Sequence, residues 1–373
     1  MNKIIHHISL KSIGGMQDAF ISFYKRLNAQ EKSKIEIYGN YPIEKKFYQV
    51  RNYIYLGLNI FSWITFLKRL RDKNAKIILH GLLTSKKFNF LLKIFKSNNL
   101  IFYEHGSIWN VDKKDLDIVK SNSNFANIII ANSMATKILL EKRFKIKSKK
   151  IRLVYYGFKK IKNYKKNNNK KYTVGFIGRF DSHKGIHTLL KAFETINKKN
   201  FILKIAGSGD LFNYFSEKYK QYKNIIFVGR INNVYKFLSS IDCLVVPSIR
   251  EPLGIVIIHA GLAKIPVIAS WVDGIPEILK KNCGILIKPT KKLNHKIFSF
   301  SKIKKPDLII NSHKKLQHPK EVDNLELKKK IYSLKKNKRL SNLYSINLNK
   351  FVIQNFSEDD YYKNLNKIFN EKS

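Results

Sequence analysis

GFIGRFDSHKGIHTLLKAF, residues 175–193, decides how the chain is read. The apolar run at 172–177 reads as a strand. It gives way to a loop with Gly178, Arg179 and Lys184, and apolar side chains then recur at Ile186, Leu189, Leu190, Phe193 and Ile196. That spacing of three and four puts them on one face of a helix over 184–196. Strand, loop and helix in this order make one unit of an open parallel sheet, and such sheets bind ligands at the ends of their strands. Two cations fixed in that loop suit a diphosphate. In a chain with 72 Lys+Arg against 26 Asp+Glu, however, cations beside any loop are expected.

The same alternation extends both ways. Downstream, strands are expected at 201–206, 224–228, 243–246, 266–269 and 284–287, with a helix at 253–263 buried nearly all round. Upstream, strands are expected at 3–9, 34–38, 76–80, 100–103, 126–132 and 151–155, and helices at 16–27, 61–71, 86–95 and 135–143. Between the halves lies KKIKNYKKNNNKK (159–171), polar and without periodicity, which reads as a linker. Residues 290–318 show no clear period, and 325–350 and 358–369 read as helices. The fold class is therefore α/β, and 373 residues suit two domains rather than one core.

Composition narrows the function classes. The net charge of +46 favours polyanions; a compositional bias toward Lys, Asn and Ile accounts for it equally well. An anionic membrane surface fits better than nucleic acid, because no zinc-ligand set, RNP-like motif or basic heptad array is present. Basic and aromatic residues that would meet such a surface are Lys45, Lys46, Phe47, Tyr48, Lys86, Lys87, Lys93 and Lys96. Cys243 and Cys283 have neither metal-ligand spacing nor a disulfide framework, which fits a reducing cytosol. The first residues read as a buried strand rather than a signal peptide. The most apolar run, 254–272, is interrupted by His259 and Lys264, short of the ~20 residues of a membrane span.

Further clusters could carry chemistry. Gly14 and Gly15 follow the first strand, where backbone can approach an anion at a helix start; two glycines also make an ordinary turn. In PSIREPLGI (247–255), Pro252 fits a first helical turn, Glu251 stands before it, and Gly254 inside that turn suggests close approach of a ligand. Glu251 could equally be a capping carboxylate. Glu104-His105-Gly106 ends a strand at the ligand-binding edge. Asp115-Leu116-Asp117 has the Asp-x-Asp pattern of metal-dependent sugar transferases, but residues two apart on a helix do not share a face. No metal site is expected.

The order and spacing of GFIGRFDSHKGIHTLLKAF, AGSGD (206–210), VGR (228–230), PSIREPLGIVIIHAGLAKIPVIAS (247–270), DGIPEIL (273–279) and NCGILI (282–287) resemble family 4 glycosyltransferases. The resemblance implies the GT-B fold, two Rossmann-like domains facing across a cleft. It implies an acceptor domain at 1–160, a basic linker at 161–171, a donor-nucleotide domain at 172–352 and a final helix at 353–373 crossing back to the first domain. Arg179 and Lys184 would hold the donor diphosphate, and backbone at Gly254 and Ile255 its oxygens. Glu251, first acid of the family's E-x7-E motif, would contact the donor sugar. Arg230 would lie near the base, Gly15 near the phosphates and His105 toward the sugar, making Glu251 and His105 the catalytic candidates. The chain departs from the family in three places: His259 stands where the second acid belongs, which bears on ribose binding; Tyr156-Gly157 replaces Asn-Gly; and 290–318 looks inserted or divergent.

What the resemblance implies is a retaining, metal-independent transferase that moves a sugar from a nucleotide-sugar donor to a glycan or lipid-linked acceptor in cell-surface polysaccharide or lipopolysaccharide assembly. It would need no cofactor and would be cytoplasmic or peripheral on the inner face of the membrane. The alternative is a donor-binding pseudoenzyme or scaffold, with His259 its chief support.

Overall fold

A computed structural model describes residues 3–12, 14–95, 99–161, 165 and 167–371. The chain forms two compact units, Met1–Lys159 with Phe356–Ser373, and Lys160–Asn355. The first contains β1 (Lys3–His7), α1 (Gly15–Arg26), α2 (Ala29–Ser33), β2 (Ile35–Gly39), β3 (Tyr53–Tyr55), α3 (Ile60–Leu70), β4 (Ala75–His80), α4 (Lys86–Ile94), β5 (Leu100–Glu104), α5 (Leu116–Phe125), β6 (Ile128–Ala131), α6 (Met134–Lys142) and β7 (Ile151–Leu153). The second runs through β8 (Tyr172–Ile177), α7 (Ile186–Glu194), β9 (Phe201–Ala206), α8 (Phe212–Lys218), β10 (Ile225–Gly229), α9 (Val234–Ser239), β11 (Cys243–Val246), α10 (Ile255–Leu262), β12 (Val267–Ser270), α11 (Ile275–Ile278) and β13 (Ile285–Ile287). It continues with α12 (His295–Ser299), the hairpin β14 (Ile309–Ile310) and β15 (Leu316–Gln317), α13 (Asn324–Lys336) and α14 (Lys338–Asn355). The last helix, α15 (Glu358–Asn370), belongs to the first unit, where Phe369 meets Phe23 of α1 at 5.7 Å between ring centres.

Each unit is built on one parallel sheet, ordered β3-β2-β1-β4-β5-β6-β7 in the first and β10-β9-β8-β11-β12-β13 in the second. The central strands, such as AKIILH and CLVV, are nearly continuous apolar runs because helices cover both faces. In each sheet the chain order reverses beside the first strand, between β1 and β4 and between β8 and β11. Loops leaving those neighbouring strands diverge, and the crevice between them is where such sheets hold ligands. This is the two-Rossmann architecture of the GT-B fold.

Several boundaries differ from expectation, each for a local reason. The helix expected from 184 starts at Ile186, because Ser182–Lys184 form a 3-10 turn and Gly185 takes φ +62°. The helix expected from 253 starts at Ile255. Gly254 has φ +92°, outside the helical region, so it and Pro252 precede the helix rather than opening it. Residues 290–318, aperiodic in sequence, contain α12 and the hairpin, elements too short to show a period.

Candidate functional site

The switch point of the second sheet gathers charge. The loop after β8 carries residues 178–185, and the loop after β11 carries 247–254. Their close approach depends on Gly185: a Cβ there would lie 2.0 Å from the carbonyl oxygen of Pro247. Lys184 Nζ thereby reaches Glu251 Oε2 at 2.7 Å, and Ser248 Oγ donates to the same oxygen at 3.1 Å. Arg179 pairs with Asp181 but stays largely solvent-exposed, while Asp181 is buried. Burial would raise the Asp181 pKa, but Lys184 and Arg179 outweigh it and hold the carboxyl below its ordinary range. Gly254 and Ile255 stand at the start of α10, where backbone N–H groups and the helix dipole favour an anion. The structure thus brings Arg179, Lys184, Glu251, Gly254 and Ile255 to one strand edge.

Beneath this pair lies a layer the sequence did not single out. Asp273 accepts from Glu251 N at 2.8 Å with one carboxylate oxygen and from Ile310 N at 2.7 Å with the other. It fixes the backbone of Glu251 and ties the hairpin to it; burial pushes its pKa up to about 7. Arg250, also buried, donates to His183 Nδ1 at 2.6 Å, and His183 Nε2 donates to Lys304 O at 2.7 Å. Burial lowers the Arg250 pKa to about 10, against the nearby charges of Asp273, Asp181 and Asp307, and lowers that of His183 to about 3. Residues 303–310 therefore support the site. Asp273 and Arg250 stood inside quoted motifs, but a buried carboxylate that holds backbone looks the same in sequence as a surface one.

His259 lies one helical turn beyond Ile255 on α10, hence on the same face. Its Nδ1 is 2.8 Å from the hydroxyl of Tyr235 on α9, and burial lowers its pKa to about 4. Arg230 is exposed just past the end of β10.

The first unit presents a different chemistry at its own switch point. Gly15 opens α1 after β1, preceded by Gly14 in extended backbone. His105 is not an isolated side chain. Its Nε2 lies 2.9 Å from His80 Nδ1, whose Nε2 lies 3.0 Å from His6 Nδ1, and its Nδ1 meets the Tyr156 hydroxyl. Asn132 Nδ2 also donates to the Tyr156 oxygen at 3.3 Å. Both ring nitrogens of His105 are thus engaged within the protein. Burial holds His105 and His6 near about 3 and His80 well below its ordinary value, so the row is neutral. Tyr156, noted only as a departure, completes it.

Among the basic and aromatic candidates, Phe47 is 1% exposed and cannot meet a surface, because it packs into the core of its unit. Lys46 is paired with Asp18 at 3.3 Å. Lys45, Tyr48, Lys86, Lys87 and Lys93 are exposed, and Lys96 lies outside the described residues. Among the described residues no group of three or more His, Cys, Asp or Glu is arranged to hold a metal ion, and no helix is long and apolar enough to cross a membrane.

Residues 157–316 match the profile of the family described as Glycosyl transferases group 1. An uncharacterized glycosyltransferase of Methanocaldococcus jannaschii is 38% identical over 121 residues, 31% of each chain. A capsular polysaccharide biosynthesis glycosyltransferase of Staphylococcus aureus, CapM, is 28% identical over 127 residues, 32% of this chain and 33% of that one. The chain thus spans about a third of the length of these two relatives. Anabaena HepE, solved in complex with UDP and glucose, superposes with a TM-score of 0.77 at 14% identity, covering 100% of both chains.

Proposed function

We propose that the protein transfers a sugar, with retention, from a nucleotide-sugar donor to a glycan or lipid-linked acceptor of cell-surface polysaccharide, a reading supported by the match of residues 157–316 to the glycosyl transferases group 1 profile. The observation that carries the proposal is the Lys184–Glu251 ion pair at the strand edge beside the start of α10. Breaking a sugar–phosphate bond builds negative charge on the leaving diphosphate. Arg179, Lys184 and the first N–H groups of α10 are positive groups fixed where a diphosphate would lie, so they stabilise that charge as it grows. Glu251, buried and held by Ser248 and Asp273, orients sugar hydroxyls and supports the oxocarbenium-like centre. Charge on the diphosphate is then met by side chains, and transfer continues in chelator. CapM supports the choice of surface polysaccharide, and UDP bound to HepE makes UDP-sugars the first donors to try.

The test is a thermal-shift screen of nucleotide sugars, followed by transfer assays with and without chelator. A donor at about a hundred times its dissociation constant stabilises by about 2.7 kcal/mol. No stabilisation by any donor rejects the reading, and transfer that returns only with Mg²⁺ or Mn²⁺ rejects its metal-independent form. His259 favours a second reading, a donor-binding protein without turnover; donor stabilisation with neither hydrolysis nor transfer supports that one.

The acceptor side includes a membrane surface in this proposal. Phe66 of α3 and Phe88 of α4 stack at 6.1 Å between ring centres. The two helices expose Ile60, Phe61, Ile64, Phe90 and Ile94, with Phe61 77% accessible, and also expose Lys68, Lys86, Lys87 and Lys93. Exposed apolar side chains on helices that also expose lysines suit an anionic bilayer, each lysine contributing roughly 1 kcal/mol near the surface. Co-sedimentation at low salt should favour phosphatidylglycerol over phosphatidylcholine vesicles and fall in Phe61→Glu. Equal binding to both lipids contradicts it.

A further inference from the structure

The apolar run of β4 is broken at its second residue by Lys76. Lys76 is 6% exposed, and a lysine is almost never so buried unless it is paired. In the first sheet Ile78 pairs with Ile101, Ile101 with Ile128, and Ile130 with Arg152. Paired residues point to one face, as do residues two apart on a strand, so Lys76, Ile101, Ile128 and Arg152 share a face near the strand starts. There they line a cavity of about 510 Å³, at the end of the sheet opposite its switch point. Four cations, Lys76, Lys149, Lys150 and Arg152, stand in its wall against one carboxylate, Glu371. Lys150 is committed to the fold, since its Nζ donates to Ala126 O at 2.9 Å and Ser123 O at 3.2 Å at the end of α5. Lys76 donates to the carbonyl oxygen of Glu371, which ends α15. The Glu371 carboxylate accepts from Arg152 Nη2 at 3.2 Å and Nε at 3.5 Å, the two-pronged geometry with which arginine also holds phosphate.

We propose that this cavity binds a small phosphomonoester, and that the Glu371 carboxylate is its placeholder in the free chain. The Arg152 and Glu371 side chains are 38% and 29% accessible, and an ion pair that open to solvent contributes little net stability. A phosphomonoester is close to a dianion at neutral pH and brings three acceptor oxygens, so it can take Arg152 from a single carboxylate and still reach Lys76 or the exposed Lys149. Burial pulls the Lys76 pKa down while Glu371 opposes that, so more negative charge here helps Lys76 keep its proton. Ile101, Ile128 and Phe125 in the same wall suit the uncharged body of such an ester. The cavity shares no residue with the Lys184–Glu251 pair, and the inference stands apart from the transferase reading.

Calorimetry on the full chain at neutral pH and physiological salt, with phenyl phosphate and inorganic phosphate as probes, tests this. Phenyl phosphate binds with a dissociation constant below about 1 mM, and inorganic phosphate binds about fivefold or more weakly because it cannot cover the apolar wall. Arg152→Gln weakens phenyl phosphate about tenfold, the scale of one charge-assisted hydrogen bond. Glu371→Gln tightens it about threefold or more, since the competing charge is gone. Lys184→Ala leaves it within about twofold, because the two sites share no residue. Misfolding can lose affinity but does not raise it, so Glu371→Gln keeps the test decisive even if Arg152→Gln melts early. No saturable binding, equal affinity for inorganic phosphate, affinity unchanged or weakened in Glu371→Gln, or loss in Lys184→Ala but not in Arg152→Gln overturns the proposal.

Discussion

The two switch points of this protein solve the same topological problem with opposite electrostatics. In the first unit, His6, His80 and His105 form a neutral row closed by Tyr156. In the second, Lys184 with Glu251 and Arg179 with Asp181 form opposed charges, underlain by Arg250 and Asp273. Burial acts on both. Where no counter-charge is near, as in the histidine row, desolvation removes the charge altogether. Where counter-charges sit within hydrogen-bond reach, ionised groups survive burial. A parallel-sheet crevice thus supplies a location, and the side chains facing it decide whether it meets an anion with fixed charge or a ligand with uncharged hydrogen bonds.

The largest way to break this contrast is acid. His6 and His105 are held near about 3, His7 near about 4 and His80 well below 6.5, all by burial, whereas in the second unit His183 is near about 3 and His259 near about 4. A depressed histidine stabilises the fold above its unfolded pKa and loses that contribution as pH falls through 6.5 toward the folded value. Below 6.5 the unfolded chain takes up protons that the folded chain refuses, so stability falls by about 2 kcal/mol per such histidine at pH 5. With four of the six, the first unit should lose more stability than the second between pH 7 and pH 5. Hydrogen exchange resolved by unit at those two pH values measures this, and a larger loss in the second unit contradicts it.

Removing a single fixed charge comes next. Lys184→Ala and Arg179→Ala should each cost about 2–4 kcal/mol of transition-state stabilisation, the scale of one preorganised donor. Arg179→Ala should change folding little, because Arg179 is mostly exposed. Lys184→Ala leaves the buried Glu251 carboxylate with Ser248 and should also lower stability, so kcat/KM is compared well below the melting point of each variant. Near-normal kcat/KM in both variants would show that the charged switch point does not hold the diphosphate.

The smallest effect sharpens the comparison from below. Asp273→Asn removes a carboxylate that accepts from two backbone N–H groups, since an amide presents one acceptor end, and should cost about 1–3 kcal/mol in denaturant unfolding. The Asp273 pKa is raised to about 7 from 3.8. Its contribution is therefore full below about pH 4 and is lost as pH rises through 7. The gap between wild type and Asn variant should be wider at pH 5 than at pH 8, while the histidine effects cancel in the difference. A gap that widens toward pH 8 would mean the carboxylate is better matched when ionised.

How much of this was legible beforehand differs by kind of residue. Arg179, Lys184 and Glu251 could be read because each stands beside a strand end or helix start, and periodicity locates those boundaries to within a few residues. His105 was legible as a position but not as a member of a row, because His6, His80 and Tyr156 are far from it in sequence. Tyr235 carried no signal at all, since an aromatic on a short helix usually packs in a core. Phe47 shows the converse error: its basic, aromatic neighbourhood reads as surface, yet the ring is buried.

By itself, then, the sequence determined the alternation of strands and helices, the two-unit α/β architecture and the cations and acid at the second switch point, because each follows from local spacing along the chain. Only the tertiary structure decided that Lys184 pairs with Glu251, that Asp273 holds the Glu251 backbone, that three histidines are hydrogen-bonded in a row and that Tyr235 faces His259. Those relations join residues tens of positions apart, and the geometry that makes them hydrogen bonds, and the burial that sets their charge, exist only once both sheets have formed and their helices have closed over them.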